Sequence, residues 1–393
     1  MRIVFPDVFY HKTGGAENLI YEIVKYAHLS RGVKSIILGD PKSFAVKRLK
    51  EGNIPYSFFS RENIREFIPS GTELFIHTHN YDGLSNIVDM PGSCLVWGIL
   101  APQITRWNRF GFERRITGKN SVANWFTKRL IDTLSEKSAL ISMDGNTSDA
   151  IDDFCGKALN LPIIPIPVDT SSALPIKRFS VDSPLVLSYI GRSDDIWKIK
   201  PVKRVMLDLQ AYKHRQFKID IYTDSEAPYL NELNGLTAEN ITLDFHIGYY
   251  GDTLRERIGE HSNLHFSMGT AALEGGLAGV PTLLVDPSVG DVPEYYRYKW
   301  LYQTERCSLG RFISEAETAF VGMEMKDVIA MVDDQEQYHN LAQKTQEYVM
   351  DNHGVGAVLN RLLAQETTAT HNDIRRYTPA TWKIAKGIGK LLR

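Results

Sequence analysis

The run from Phe266 to Pro281 limits the possible folds of this chain more than any other. A short apolar segment ends at Gly269, small residues carrying one acid, Glu274, follow, and Gly279-Val280-Pro281 closes the run. Thr282-Leu283-Leu284-Val285 then reads as a buried strand. A glycine turn therefore opens a short helix packed between strands, with a carboxylate one turn inside its start. Free backbone N–H groups and the positive end of the helix dipole suit such a start to a phosphate. Thr270 and Glu274 share a helical face by their spacing. The carboxylate could then hold the hydroxyls of a ribose while the helix end holds a diphosphate.

The chain begins in the same way. Ile3-Val4-Phe5 reads as a strand, a loop runs to Thr13-Gly14-Gly15, and Leu19, Ile20, Ile23, Val24 and Ala27 fall on one helical face. Arg31-Gly32 ends that helix and Ser35-Ile36-Ile37-Leu38 is the next strand. Such a βαβ unit implies a parallel sheet with a right-handed crossover. Further strands are expected at 74–77, 94–97 and 139–142. The proline-rich stretch from Leu161 to Asp169 leads into a polar segment without a period, and the α/β rhythm restarts at Leu185. The pattern predicts a strand over 185–190, a helix over 201–211, a strand over 218–222, a loop with a helical turn over 226–240, and strands near Ile241 and Leu264. Helical spacing follows over 326–349 and 353–363. The fold class is thus α/β, with domains at 1–170 and 171–365. A basic tail, 366–393, is expected to return to domain one or to lie on a membrane. The 393 residues give each domain enough chain for its own core.

The formal net charge of -2 gives no global attraction to nucleic acid. Three cysteines, Cys94, Cys155 and Cys307, are odd in number and far apart, which indicates a reducing compartment with neither a disulfide frame nor a zinc pattern. The start, Met1-Arg2-Ile3, runs directly into a strand with no signal peptide, and no apolar run is long enough to span a bilayer. A cytoplasmic protein, soluble or peripheral, is expected. Two stretches are basic and aromatic: 106–115, continued by Trp125-Phe126 and Lys128-Arg129, and the C-terminal 382–393. Both suit anionic headgroups, and no nucleic-acid motif accompanies them.

Gly191-Arg192-Ser193-Asp194-Asp195-Ile196-Trp197-Lys198 follows the first strand of the second domain. Ligands of open α/β sheets sit at carboxyl ends of strands. There the fork-shaped guanidinium of Arg192 and the ammonium of Lys198 could neutralise a diphosphate. The alternative is a solvated loop whose cations pair with Asp194 and Asp195. Gly14-Gly15-Ala16-Glu17 lies in the first strand-to-helix turn, where glycines admit a ligand to the backbone. It lacks the three spaced glycines of a dinucleotide site, and a plain loop with Glu17 at the helix dipole is the alternative. His77 and His79 stand together at a strand end. The pairs Asp194-Asp195 and Asp333-Asp334 lack the further oxygen ligands a hard cation needs. Thr117-Gly118-Lys119 is not a P-loop, because Glu113 and Asn120 fill its first glycine and Ser/Thr positions.

Together these stretches resemble the GT-B glycosyltransferases, most of all the retaining family 4-like group of bacterial polysaccharide and phosphatidylinositol mannosyltransferases. Gly14-Gly15-Ala16-Glu17 matches that family's early glycine motif, Gly191-Arg192 with Lys198 its diphosphate-binding pair, Gly269 to Pro281 its donor-site helix, and His353 to Leu363 its closing segment. The resemblance implies two Rossmann-like domains with parallel sheets facing a central cleft. It implies catalytic roles for Arg192 and Lys198, and donor contacts from Gly191, Met268, Gly269, Thr270 and Glu274. Gly14, Gly15 and Glu17 would line the acceptor side. His77 and His79 would stand in for a histidine that relatives carry near Trp97-Gly98. Two departures are visible: Phe266 occupies the place of the family's first glutamate, and Ile199 that of a glycine. The implied partners are a nucleotide-sugar donor and a glycan or lipid-linked acceptor, with no cofactor and no metal. The implied setting is bacterial surface polysaccharide synthesis, whether lipopolysaccharide, O-antigen or capsule. A nucleotide-sugar epimerase on the same fold, or a catalytically silent partner in glycan assembly, are the alternatives.

Overall fold

The computed structural model describes residues 2–8, 15–60, 63, 73–78, 92–98, 121–176, 184–236, 239–314 and 317–375. Gly14, His79 and the basic stretches 106–115 and 382–393 lie outside them. The chain divides into two units, Met1–Pro167 with Val355–Arg393, and Val168–Gly354.

In the first unit the apolar runs become β1 (Arg2–Val8), β2 (Lys34–Gly39), β3 (Ser57–Ser60), β4 (Glu73–His77), β5 (Ser93–Gly98) and β6 (Leu140–Ser142). They pair in parallel, in the order β3-β2-β1-β4-β5-β6. Between them run α1 (Gly15–Arg31), α2 (Phe44–Glu51), α3 (Ser121–Glu136) and α4 (Gly145–Cys155). Side chains alternate across the sheet, as a strand period of two requires. Ile3, Phe5, Leu74, Ile76, Leu95 and Trp97 pack under α1 and α2, while Val4, Phe75, Cys94 and Val96 pack on the opposite face with Leu130 and Leu134 of α3. The predicted apolar face of α1, Leu19 to Ala27, is buried in the first of these cores.

The second unit has β7 (Leu185–Ile190), β8 (Phe217–Thr223), β9 (Ile241–Ile247), β10 (Leu264–Ser267), β11 (Thr282–Leu284) and β12 (Lys299–Trp300), in the order β12-β11-β10-β7-β8-β9. Only β12 runs antiparallel among these described strands. Its helices are α5 (Ile196–Leu209), α6 (Ala227–Glu232), α7 (Gly251–His261), α8 (Thr270–Leu277), α9 (Met325–Asp333) and α10 (Gln335–Tyr348). The sequence places the start of α5 at Pro201, but the helix begins at Ile196 and carries Pro201 inside it. Proline has no N–H for the carbonyl four residues back. That carbonyl, on Trp197, accepts instead from the Ser288 N–H (3.1 Å), so the helix continues without an orphaned acceptor.

The second unit ends at Gly354, not at residue 365. The next helix, α11 (Val355–Ala364), buries Val355, Val358, Leu359 and Leu362 in the core shared with α1 of the first unit. Gly356 permits the approach, since a Cβ there would stand 2.5 Å from Tyr26 Oη. A further helix, α12 (His371–Arg375), follows a segment hydrogen-bonded to β5 through Cys94 N–H and Ala369 C=O (2.9 Å). Helical periodicity shows that α11 is amphipathic, but it does not show which sheet the apolar face will cover. No helix among the described residues is long and apolar enough to cross a membrane.

Candidate functional site

From β7 the chain moves to β8 and β9 on one side, then returns to set β10 on the other. The β7–β10 pair is therefore the topological switch point of the sheet, where open α/β folds leave a crevice beyond the carboxyl ends of the strands. The two strands run in parallel register, with Phe266 opposite Tyr189, and Ser267 Oγ donates to the Ile190 carbonyl (2.9 Å). Gly191-Arg192 and Met268-Gly269 thus leave neighbouring strands at the same end, and each leads into the start of a helix, α5 or α8.

Gly191 is required by packing. A Cβ would lie 2.5 Å from Tyr189 Cε1 and 2.6 Å from Tyr229 Oη, and the Tyr229 hydroxyl donates to the Gly191 carbonyl (3.0 Å). The following loop is pinned by the residue after β8, Asp224, whose Oδ1 accepts the Ser193 N–H (2.7 Å). Arg192 and Lys198 meet on one carboxylate oxygen, Asp195 Oδ2, at 3.0 and 2.8 Å, and Arg192 also reaches Asp194 at 3.6 Å. Burial works to raise the Asp195 pKa, but the hydrogen bonds and charges of Lys198 and Arg192 outweigh it and hold it below the usual value. Asp195 occupies the N-cap position of α5, yet its side chain does not cap the helix and serves the two cations instead. Lys198 is the better sheltered of the pair, its side chain 15% exposed against 51% for Arg192, and its ammonium lies 4.6 Å from the Trp197 ring centroid.

Gly269 adopts φ 59°, ψ −149° as it opens α8, a backbone region that glycine alone enters readily. Its N–H, expected from the sequence to face a ligand, donates to the Leu309 carbonyl (2.6 Å). The amides of Thr270 and Ala271 are the ones a helix start leaves without an intrahelical acceptor. Met268, also expected to contact the donor, has its side chain buried in the sheet core. Phe266 is also a core residue, fully buried and 5.1 Å from the Tyr189 ring.

His265, absent from the sequence expectations, ties α8 to the sheet. Its Nε2 lies 3.1 Å from the Ala271 carbonyl, which can only accept, so this nitrogen carries the proton and Nδ1 accepts from Ser188 Oγ (2.9 Å). Burial lowers its pKa to about 4. The unfolded chain takes up this proton first, so the associated stability is fully present above pH 6.5 and is lost as pH falls towards 4, about 3 kcal/mol in all. Histidine-ring NMR should find His265 neutral down to about pH 5, and a midpoint near 6.5 would contradict the arrangement. Gly275 packs against this ring, and a Cβ there would stand 2.4 Å from His265 Cδ2 and 2.5 Å from Thr282 Oγ1. We expect Gly275→Ala to lower stability by about 1–3 kcal/mol in a urea melt, and an unchanged midpoint would show that α8 has room to move.

Glu274, half-buried, faces α7. Arg255 donates to Glu274 Oε2 through Nε (3.0 Å) and Nη2 (2.9 Å), and its Nη1 reaches Ser172 Oγ and Asp252 Oδ1, the latter at 3.5 Å. Burial raises the Glu274 pKa, while the charge and hydrogen bonds of Arg255 act against that rise. The sequence expectations omit Arg255 and Asp224, whereas the pairing of both cations with Asp195 is the alternative they name for this loop.

In the first unit, Gly15 and Glu17 fall in the first turn of α1. His77 does not project from the strand end. It is buried on the Phe75 face of the sheet, where its ring stands 5.5 Å from that of His371. Burial, then the charge of His371, lowers its pKa well below the usual value. Neither of its ring nitrogens has a hydrogen-bond partner among the described residues.

No protein-family model matches the chain, and no curated protein sequence matches it. Solved structures do. HepE of Anabaena, in complex with UDP and glucose, superposes over 92% of this chain and 98% of its own at 15% identity, with a TM-score of 0.56. A glycosyltransferase of Rickettsia africae covers 96% and 99% at 12% identity, with a TM-score of 0.60. An alpha-glucosyltransferase in complex with UDP covers 92% and 98% at 11% identity, with a TM-score of 0.53. The chain therefore has the GT-B glycosyltransferase fold that its motifs resemble.

Proposed function

We propose that the protein is a glycosyltransferase that moves a sugar from a nucleotide-sugar to a glycan or lipid-linked acceptor. One observation carries this reading: two cations and the start of a helix lie at the switch point of one sheet, on adjacent strand ends. The chemistry needed there is neutralisation of a departing diphosphate, which preorganised cations and helix amides supply. Both HepE and the alpha-glucosyltransferase were solved with UDP, which supports a uridine nucleotide as the first probe.

In this reading Lys198 and Arg192 leave Asp195 for the diphosphate, the Thr270 and Ala271 amides face it, and Glu274 holds the ribose. The bond between the sugar anomeric carbon and the phosphate oxygen breaks as the acceptor oxygen bonds to that carbon, and the acceptor proton passes to the departing phosphate. No metal is required for leaving-group charge, and the anomeric configuration is retained. The first unit binds the acceptor, with Gly14, Gly15 and Glu17 near it. The setting is bacterial surface polysaccharide synthesis at the cytoplasmic face of the membrane, with the basic stretches on anionic lipid. Incubation with a panel of nucleotide-sugars and acceptors in the presence of EDTA tests this. Free nucleotide with a glycosylated acceptor supports it. A sugar isomer would identify an epimerase, and no nucleotide binding by calorimetry would identify a silent partner.

A further inference from the structure

The fold brings together three metal-ligating side chains that the sequence keeps far apart: His77 at the end of β4, Cys94 at the start of β5, and His371 at the start of α12. All three are buried, and one ligand atom from each lies within 4.8 Å of the other two. Cys94 Sγ is 3.3 Å from His371 Nδ1, close to the edge of a tetrahedron whose metal–sulfur and metal–nitrogen bonds are about 2.3 and 2.0–2.1 Å. His77, 4% exposed, has both ring nitrogens buried without a hydrogen-bond partner among the described residues. A buried imidazole in that state loses its hydrogen bonds to water with nothing in return, and a metal ion at this point would restore one such bond.

We propose that His77, Cys94 and His371 bind a zinc ion that clips the C-terminal segment to the first sheet. Two imidazoles and one thiolate are a donor set suited to a borderline-soft divalent ion. Binding removes the Cys94 proton to solvent and forms the metal–sulfur bond. The other cluster of this kind among the described residues, Asp220, Asp244 and His246, differs because Lys218 already supplies its positive charge, at 2.9 Å from Asp220 and 3.0 Å from Asp244. The first cluster also lies on the path that returns the chain from the second unit: Thr367 Oγ1 donates to the Cys94 carbonyl (3.0 Å), and Lys137 pairs with Asp373 (2.9 Å) beside it. A metal joining β4 and β5 to α12 would close a loop of nearly 300 residues, and metal bound to the folded state alone stabilises it.

The test uses the full chain. Elemental analysis of protein purified from zinc-supplemented cells should give about one zinc per chain, and Cys94→Ser and His371→Ala should each reduce it to background. Chelator-stripped protein loaded with Co²⁺ should show a thiolate-to-cobalt charge-transfer band that Cys94→Ser abolishes. The band can be read on the wild-type protein even if a variant fails to fold. Folded wild-type protein with no zinc and no cobalt band would overturn the proposal, as would undiminished zinc in Cys94→Ser.

Discussion

Replacing Lys198 with alanine should weaken UDP binding by roughly 10- to 100-fold, the effect of removing a hydrogen bond to a charged group worth about 1.5–3 kcal/mol. Arg192→Ala should cost less. The Arg192 side chain is half exposed and shared between Asp194 and Asp195, whereas Lys198 is sheltered and held at a single oxygen, and solvent screening weakens the more exposed charge. The fold should survive both changes, because each leaves Asp195 with the other cation. Titration calorimetry with UDP at two salt concentrations measures both variants. The affinity loss should be larger for Lys198→Ala, and equal affinities for wild type and both variants would remove the diphosphate from this loop.

Legibility in the sequence follows from the range of the interactions. The glycine turn at Gly269, the helix after it and the apolar face of α1 are local patterns, so periodicity and turn chemistry expose them. Arg192 and Lys198 are visible because they stand six positions apart, one in the loop after β7 and the other in the first turn of α5. What periodicity cannot show is which strand lies beside which, and the register of Phe266 against Tyr189 makes the Gly191 and Gly269 loops neighbours. The partner of Glu274 is 19 residues away on another helix, and the acceptor of the Gly269 N–H, at Leu309, lies beyond β11 and β12. The burial of His77 is legible in the sequence. Alternation along β4 puts it on the face of Phe75, which is buried. A pair of histidines at a strand end drew attention to chemistry where the strand period already pointed to the interior. The placement of α11 and α12 on the first sheet depends on which groove their apolar residues fill, and nothing local in the sequence encodes that.

Arg255→Ala is expected to destabilise the second unit by about 1–3 kcal/mol, because removing one member of a partly buried pair leaves the Glu274 carboxylate uncompensated. Glu274 would then face Asp252 and Asp169, whose charges already act to raise its pKa, with the guanidinium gone. Glu274→Ala should cost less, since Arg255 retains Ser172 and Asp252. The double variant Arg255→Met with Glu274→Leu should be more stable than the sum of the two alanine changes implies, because no unpaired charge remains. Stability and ligand grip separate in one further comparison. If Glu274 holds the ribose, wild-type protein should bind UDP more tightly than its 2′,3′-dideoxy analogue, and folded Glu274→Ala protein should bind the two alike. A preference for UDP that persists unchanged in Glu274→Ala would leave this carboxylate only its structural bond to Arg255.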